Sequence, residues 1–291
     1  MTVEEVMREV RRLELTTRHL VRDLVAGEFA SAFRGRGVEF ADVREYQPGD
    51  DVRTIDWNVT ARLGNAFVKR FSEERELAVW LLVDFSASGQ FGTVGRTRRM
   101  LAAELSALLA LVAARSNDRV GAVFFTDRVE HSIATGKGRR HALRIVNDVL
   151  GFEPVAQGTD LAVALRYVAP LLRRRTLLFL VSDFLDPLPV ADLTALAARH
   201  DVVALGLTDP REQSLPATGL FTLWDPESAA WRTVDVAHAG LRRHFEASRR
   251  EHDRRVEREL TGAGVELLRL RVDQPCGEVL ADFLRARQRR R

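Results

Sequence analysis

Leu77-Ala78-Val79-Trp80-Leu81-Leu82-Val83-Asp84-Phe85-Ser86-Ala87-Ser88 is the stretch that decides the fold. An apolar run of strand length ends on an acid and two spaced serines. Apolar residues at consecutive rather than alternate positions indicate a strand buried on both faces, as in a parallel sheet. Beyond the strand the chain must turn, so Ser86 and Ser88 can point at one spot beside Asp84. Taken alone, D-x-S-x-S is equally a strand-to-helix turn, because Asp and Ser also cap helices.

Two further pieces follow at usable distances. A second apolar run, Leu177-Leu178-Phe179-Leu180-Val181-Ser182, is followed by Asp183, and Thr159 sits in Gly158-Thr159-Asp160. Each has an ordinary reading: Asp183 as a plain strand end, Gly158-Thr159-Asp160 as the N-cap of a helix from near Leu161. Together, and with the two strands parallel neighbours, they make an all-oxygen pocket. Mg2+ and Mn2+ favour oxygen ligands, and Mg2+ commonly uses only one or two carboxylates and keeps several waters. Neutral hydroxyl ligands leave such an ion electrophilic, able to accept one more carboxylate from another protein.

The rest of the chain alternates short strands and helices. Strands are expected at 77–84, 176–182, 202–208 and 265–272, with a hairpin at 119–126 and 129–134. Helices are expected at about 96–116, 138–150, from Leu161 to about 173, near 189–199, at about 237–262 and from about 276. This order implies a doubly wound, mostly parallel α/β sheet covered on both faces. Ligands in such sheets bind outside the carboxyl ends of the strands, where Asp84 and Asp183 fall. Asp225-Pro226-Glu227-Ser228 between two short apolar runs marks an inserted hairpin within 219–235, with Trp224 and Trp231 expected to pack. Residues 3–33 carry an approximate helical stripe, Val6, Val10, Leu13, Leu20 and Leu24. Residues 34–76 look irregular apart from a possible strand at 66–71. Arg53 and Asp56 are candidate ion-pair partners there, and Phe40, Tyr46 and Trp57 are candidate anchors. The division expected is 1–76, then 77–291.

The ordered set Asp84, Ser86, Ser88, Thr159 and Asp183 resembles the metal-ion-dependent adhesion site (MIDAS) of von Willebrand factor A domains. The resemblance covers roughly residues 75–290. It implies that Ser86, Ser88 and Thr159 ligate Mg2+ or Mn2+, directly or through water, and that Asp84 and Asp183 act largely through water. Gln157 stands where many of those domains have a second Gly. The preceding blocks, Gly37-Val38-Glu39-Phe40, Arg44-Glu45-Tyr46-Gln47-Pro48-Gly49-Asp50-Asp51, Arg53-Thr54-Ile55-Asp56-Trp57 and Ala61-Arg62, are similar to the signature of the bacterial DUF58 family. That family joins such a segment to a von Willebrand A-like domain and is commonly associated with MoxR-type AAA+ ATPases. The resemblance implies a chaperone-like role in assembly or maturation of client complexes, with a MoxR-type ATPase or a client docking through a carboxylate.

Composition bounds the alternatives. The 291 residues can bury a sizeable core, and 46% hydrophobic with 29% charged content fits a globular protein. A net charge of +3 does not by itself argue for nucleic acid. Cys276 is the single cysteine, which excludes an internal disulfide and fits a reducing compartment. With no signal-peptide pattern and no long apolar run, a cytosolic protein is expected. The richest apolar stretch, Leu101 to Ala114, is interrupted by Glu104 and Ser106.

An enzyme is the main rival. No G-x-x-x-x-G-K-[ST] or G-x-S-x-G occurs, Ser86 replaces the second acid of a phosphatase D-x-D, and His131, His141 and His200 lack metal spacing. A metal-dependent hydrolase therefore has little to stand on, and no enzyme is expected. A nucleic-acid binder would rest on arginines 139, 140, 173, 174 and 175 and on the five arginines of 285–291, the last expected as a solvated end.

Overall fold

The computed structural model describes residues 39–72, 77–93, 95–217, 219–225 and 230–290. The helical stripe expected at 3–33 lies outside them. The chain divides into two compact units, one of residues 34–76 and a larger one that contains everything from Leu77 onward.

The small unit is more regular than its turn-rich sequence suggests. Strand β1 (Glu39–Glu45) pairs antiparallel with β2 (Phe67–Ser72), with an irregularity between Phe40 and Asp42. Between them lie a 3-10 turn at Val52–Thr54 and helix α1 (Trp57–Leu63). Asp56 caps α1 by accepting from the amides of Asn58 and Val59, and Gly64 ends it with a left-handed φ of 82°. An ion pair that braces the turn joins Arg44 to Asp50 by two parallel bonds of 2.8 and 2.7 Å. Trp57 is 70% exposed, so it does not anchor its own unit.

The large unit is built on a six-stranded sheet. In chain order its elements are β3 (Ala78–Asp84), α2 (Arg98–Arg115), β4 (Arg119–Phe125), β5 (Val129–Gly136), α3 (Gly138–Gly151), α4 (Leu161–Val168), β6 (Thr176–Ser182), α5 (Val190–Ala197), β7 (Asp201–Thr208) and the single turn α6 (Pro210–Gln213). The hairpin β8 (Leu220–Asp225) and β9 (Ala230–Asp235) follows, then α7 (Ala239–Gly262), β10 (Glu266–Arg271) and α8 (Cys276–Arg290). The strand order is β10-β7-β6-β3-β4-β5. All neighbours are parallel except β4 with β5. This is the von Willebrand A-like, doubly wound architecture.

Strand β3 shows why its run is apolar throughout. Val79, Leu81 and Val83 point into the core beneath α2, α3 and α8. Trp80 and Leu82 point into the opposite core beneath α4, α5 and α7. Alternating side chains thus serve both layers, and a polar residue at either parity would be buried. The apolar stretch 101–114 is part of α2, a helix buried nearly all round because it lies between the sheet and α3 and α8. Among the described residues no helix is long and apolar enough to cross a membrane.

Element ends depart from expectation where local chemistry intervenes. Helix α4 stops at Val168, because Pro170 permits only a 3-10 turn over Ala169–Leu171. In the hairpin Trp224 stands opposite Trp231, whose side chain is 67% exposed. The arginine-rich end is helical rather than frayed as far as Arg290. Arg287 is buried and pairs with Asp201 and, at 2.9 Å, with Glu266, so one supposed nucleic-acid contact is an internal staple.

Cys276 opens α8 in the core. Its thiol donates to Glu104 at 3.2 Å, and burial together with the Glu104 charge pushes it up to about 12. The thiolate fraction at pH 8 is then small, and the thiolate is the nucleophile. Iodoacetamide should modify Cys276 in the folded protein about 100-fold or more slowly than in the guanidinium-unfolded chain. Equal rates, followed by mass spectrometry, would refute this packing of the thiol.

Candidate metal centre

Parallel pairing of β3 with β6 sets Val83 beside Val181, so the next residues along, Asp84 and Ser182, emerge together. The Ser182 hydroxyl donates to Asp84 Oδ2 at 2.7 Å, and the Ser86 amide donates to Asp84 Oδ1 at 2.8 Å. Asp84 therefore ties the two strand ends and the turn together. That turn, a 3-10 segment over Ala87–Gln90, is held by Ala87 N–H donating to the Gln157 carbonyl at 2.9 Å. Beneath it, Phe85 is buried against the rings of Phe124 and Phe152, at 5.0 and 4.8 Å between centroids.

The two serine hydroxyls lie 3.0 Å apart, and Ser88 Oγ donates to Asp183 Oδ2 at 2.7 Å. Asp183 is aimed by an uncommon backbone: the next residue, Phe184, has φ 52°, rare for an aromatic side chain. The Ser182 hydroxyl accepts the Phe184 amide at 3.1 Å, and His252 Nε2 bonds its carbonyl at 3.0 Å. Asp84, Ser86, Ser88 and Asp183 thus line one small cleft at the carboxyl ends of β3 and β6, with Arg98 and Arg99 also on its wall.

Thr159 is placed differently. It lies on the loop that receives Ala87 and is not part of the cleft wall. Asp186 is shifted upward, first by burial and then by the charges of Asp183 and Asp160.

Five participants were missed by sequence reasoning: Ser182, Asp186, Arg98, Glu212 and Asp209. Ser182 ends an apolar run and so reads as a strand residue. Asp209-Pro210-Arg211-Glu212 carries only the local pattern of a capping box, and Arg98 and Asp186 carry none. Arg98, 3% exposed, sits in the first turn of α2 and reaches Asp183 Oδ2 at 2.9 Å and Glu212 Oε1 at 2.6 Å. Its second amino group donates to the Ser88 carbonyl at 2.5 Å, and its guanidinium lies over the Phe91 ring at 5.5 Å. Glu212 in turn caps α6 by accepting the Asp209 amide at 3.0 Å, and burial shifts it upward. Asp209 is fully buried and holds both the amide and the hydroxyl of Thr93.

The donor chemistry fits a hard cation. Burial, and then the charge of Asp183, push Asp84 up to about 6. Two carboxylates that repel each other in a dry site are relieved by a cation between them. Among the described residues no three His, Cys, Asp or Glu side chains are grouped to hold a metal, so an ion here would rest on hydroxyls and water as much as on carboxylates.

Asp84 also makes metal-free stability depend on pH. Its folded value lies above the ordinary carboxylate value, so folding takes up a proton between about pH 4 and 6. In EDTA, stability should fall as pH rises through that window, by on the order of 1–3 kcal/mol, and Asp84→Asn should remove this component. Urea unfolding of both proteins across pH 4–7 measures it, and parallel curves would contradict the assignment.

Comparison with known proteins agrees with this architecture. The family model described as "Protein of unknown function DUF58" matches residues 42–255. Uncharacterized protein Rv1480 of Mycobacterium tuberculosis is 35% identical over 283 residues, covering 96% of this chain and 89% of that protein. Uncharacterized protein Mb1516 of Mycobacterium bovis matches to the same extent. Among solved structures, an aerotolerance-related membrane protein from Bacteroides fragilis superposes with a TM-score of 0.51 at 16% identity, covering 74% of this chain and all of that one. The last likeness is one of fold alone. With a family match across most of its length and relatives alike nearly from end to end, the chain belongs to the DUF58 family, on a von Willebrand A-like fold.

Proposed function

We propose that this protein is a metal-dependent protein-docking module of the MIDAS type, not an enzyme, that works in the cytosol. The observation that carries the reading is the meeting of Asp84, Ser86, Ser88 and Asp183 around one cleft at the strand ends. Ser86 and Ser88 would hold Mg2+ or Mn2+, with Asp84 and Asp183 orienting its waters. Thr159, on the adjoining loop, would complete the set from outside the cleft wall. The ion would supply an open coordination position for an Asp or Glu of another protein. Both oxygens of Asp84 already accept protein hydrogen bonds, which suits a carboxylate that acts through water.

The partner in this reading is a MoxR-type AAA+ ATPase, a client complex, or both, with the ATPase supplying energy for chaperone-like assembly or maturation. The buried, unreactive Cys276 is compatible with a reducing compartment.

Isothermal titration with Mg2+ and Mn2+ tests the site directly. Ser86→Ala/Ser88→Ala should lower affinity about tenfold or more, since each substitution removes an oxygen ligand. Unchanged affinity in a folded double variant would sink the reading. Capture of an AAA+ ATPase or client by wild type with Mg2+, but not with EDTA or by Asp183→Ala, is the expected result for docking. Capture indifferent to both would separate partner binding from the metal.

A further inference from the structure

The cleft already contains a cation of its own. Arg98 contacts two carboxylates, Asp183 and Glu212, and lines the cleft together with Asp84. The same terminal nitrogen, Nη1, serves both, and Nη2 is on the Ser88 carbonyl. Its Nε is buried with no hydrogen-bond partner, so the guanidinium reaches its acceptors from one edge only. Its charge falls on Asp183 and Glu212, which share Nη1.

The geometry points to Arg98 as a tethered counter-cation that competes with the divalent ion for Asp183 and so sets the affinity of the site. This rests on the metal reading above and deepens it. Glu212 provides the tether. Its Oε1 holds Nη1 at 2.6 Å, while its Oε2 is fixed by the Asp209 amide, and Asp209 is fixed in turn by Thr93 and by the Arg211 amide. When Asp183 turns to the ion's waters, Arg98 keeps a carboxylate partner and the Phe91 ring. Loss of the Asp183 contact therefore leaves no bare buried charge, the usual penalty for breaking such a pair. The Ser88 carbonyl contact also ties the metal-holding turn to the same guanidinium, so occupancy of the cleft is felt at α6 and at the Thr93 loop.

The sign of a substitution separates this role from scaffolding. A structural Arg98 would make every substitution weaken metal binding. A competing Arg98 predicts that Arg98→Gln binds Mn2+ more tightly than wild type, about tenfold or more, because a positive charge beside the ion is gone. Glu212→Gln should bind more weakly by a similar factor, because it frees Arg98 to hold Asp183 alone. Arg98→Lys keeps the charge and should stay near wild type. Mn2+ electron paramagnetic resonance at fixed ionic strength reads free and bound ion, with circular dichroism as the check on folding. Weaker or unchanged binding by folded Arg98→Gln, with Ser86→Ala/Ser88→Ala still abolishing binding, overturns the competition and leaves the metal site standing. Should Arg98→Gln not fold, Glu212→Gln decides: weaker binding supports the tether and unchanged binding overturns it. If wild type, Arg98→Gln and Glu212→Gln all fail to bind Mn2+, the metal reading falls and this inference with it.

Discussion

The parallel register between β3 and β6 is the constraint on which the site depends. These two strands are far apart in sequence yet share the centre of the sheet. Their pairing brings Asp84 level with Ser182 and sets Asp183 one residue beyond. A slip of one residue would turn Trp80 and Leu82 into the wrong core layer and move Asp84 off Ser182 together. Packing and chemistry are thus fixed by the same ladder. The apolar side chains on both faces supply the energy that makes the register unambiguous, and the polar strand ends inherit its accuracy.

Charge then shapes what stands on that frame. Buried carboxylates are costly without compensation. Burial and the Asp183 charge push Asp84 up to about 6, and the hydrogen bonds from Ser182 and Ser86 offset this only in part. Asp183 is relieved by Arg98 and Ser88, and Glu212 shares the same arginine. Ser88 donates its one hydroxyl hydrogen to Asp183, so in the bond between the two serines it accepts from Ser86.

Much of the large unit was legible in the sequence because its strands are unbroken apolar runs with polar ends. Doubly covered parallel strands leave that mark. Asp84, Ser86, Ser88 and Asp183 were legible for a related reason, since each sits at or just past the end of such a run. The β1–β2 pair was not: Glu39–Glu45 is short and half charged, and its partner lies beyond a helix and a turn. Nor was the Arg98–Glu212 pair, whose members stand 114 residues apart with no periodicity to connect them. Thr159 carries the motif residue but stands outside the cleft wall, because a motif records the residue and not where its loop sets it.

The staple formed by Arg287 lies at the other rim of the sheet. Asp201 opens β7 and Glu266 stands at the start of β10, and one buried guanidinium from the last helix holds both. The amino ends of these two neighbouring strands are therefore cross-linked by charge through α8, so the edge of the sheet and the helix that covers it are held as one piece.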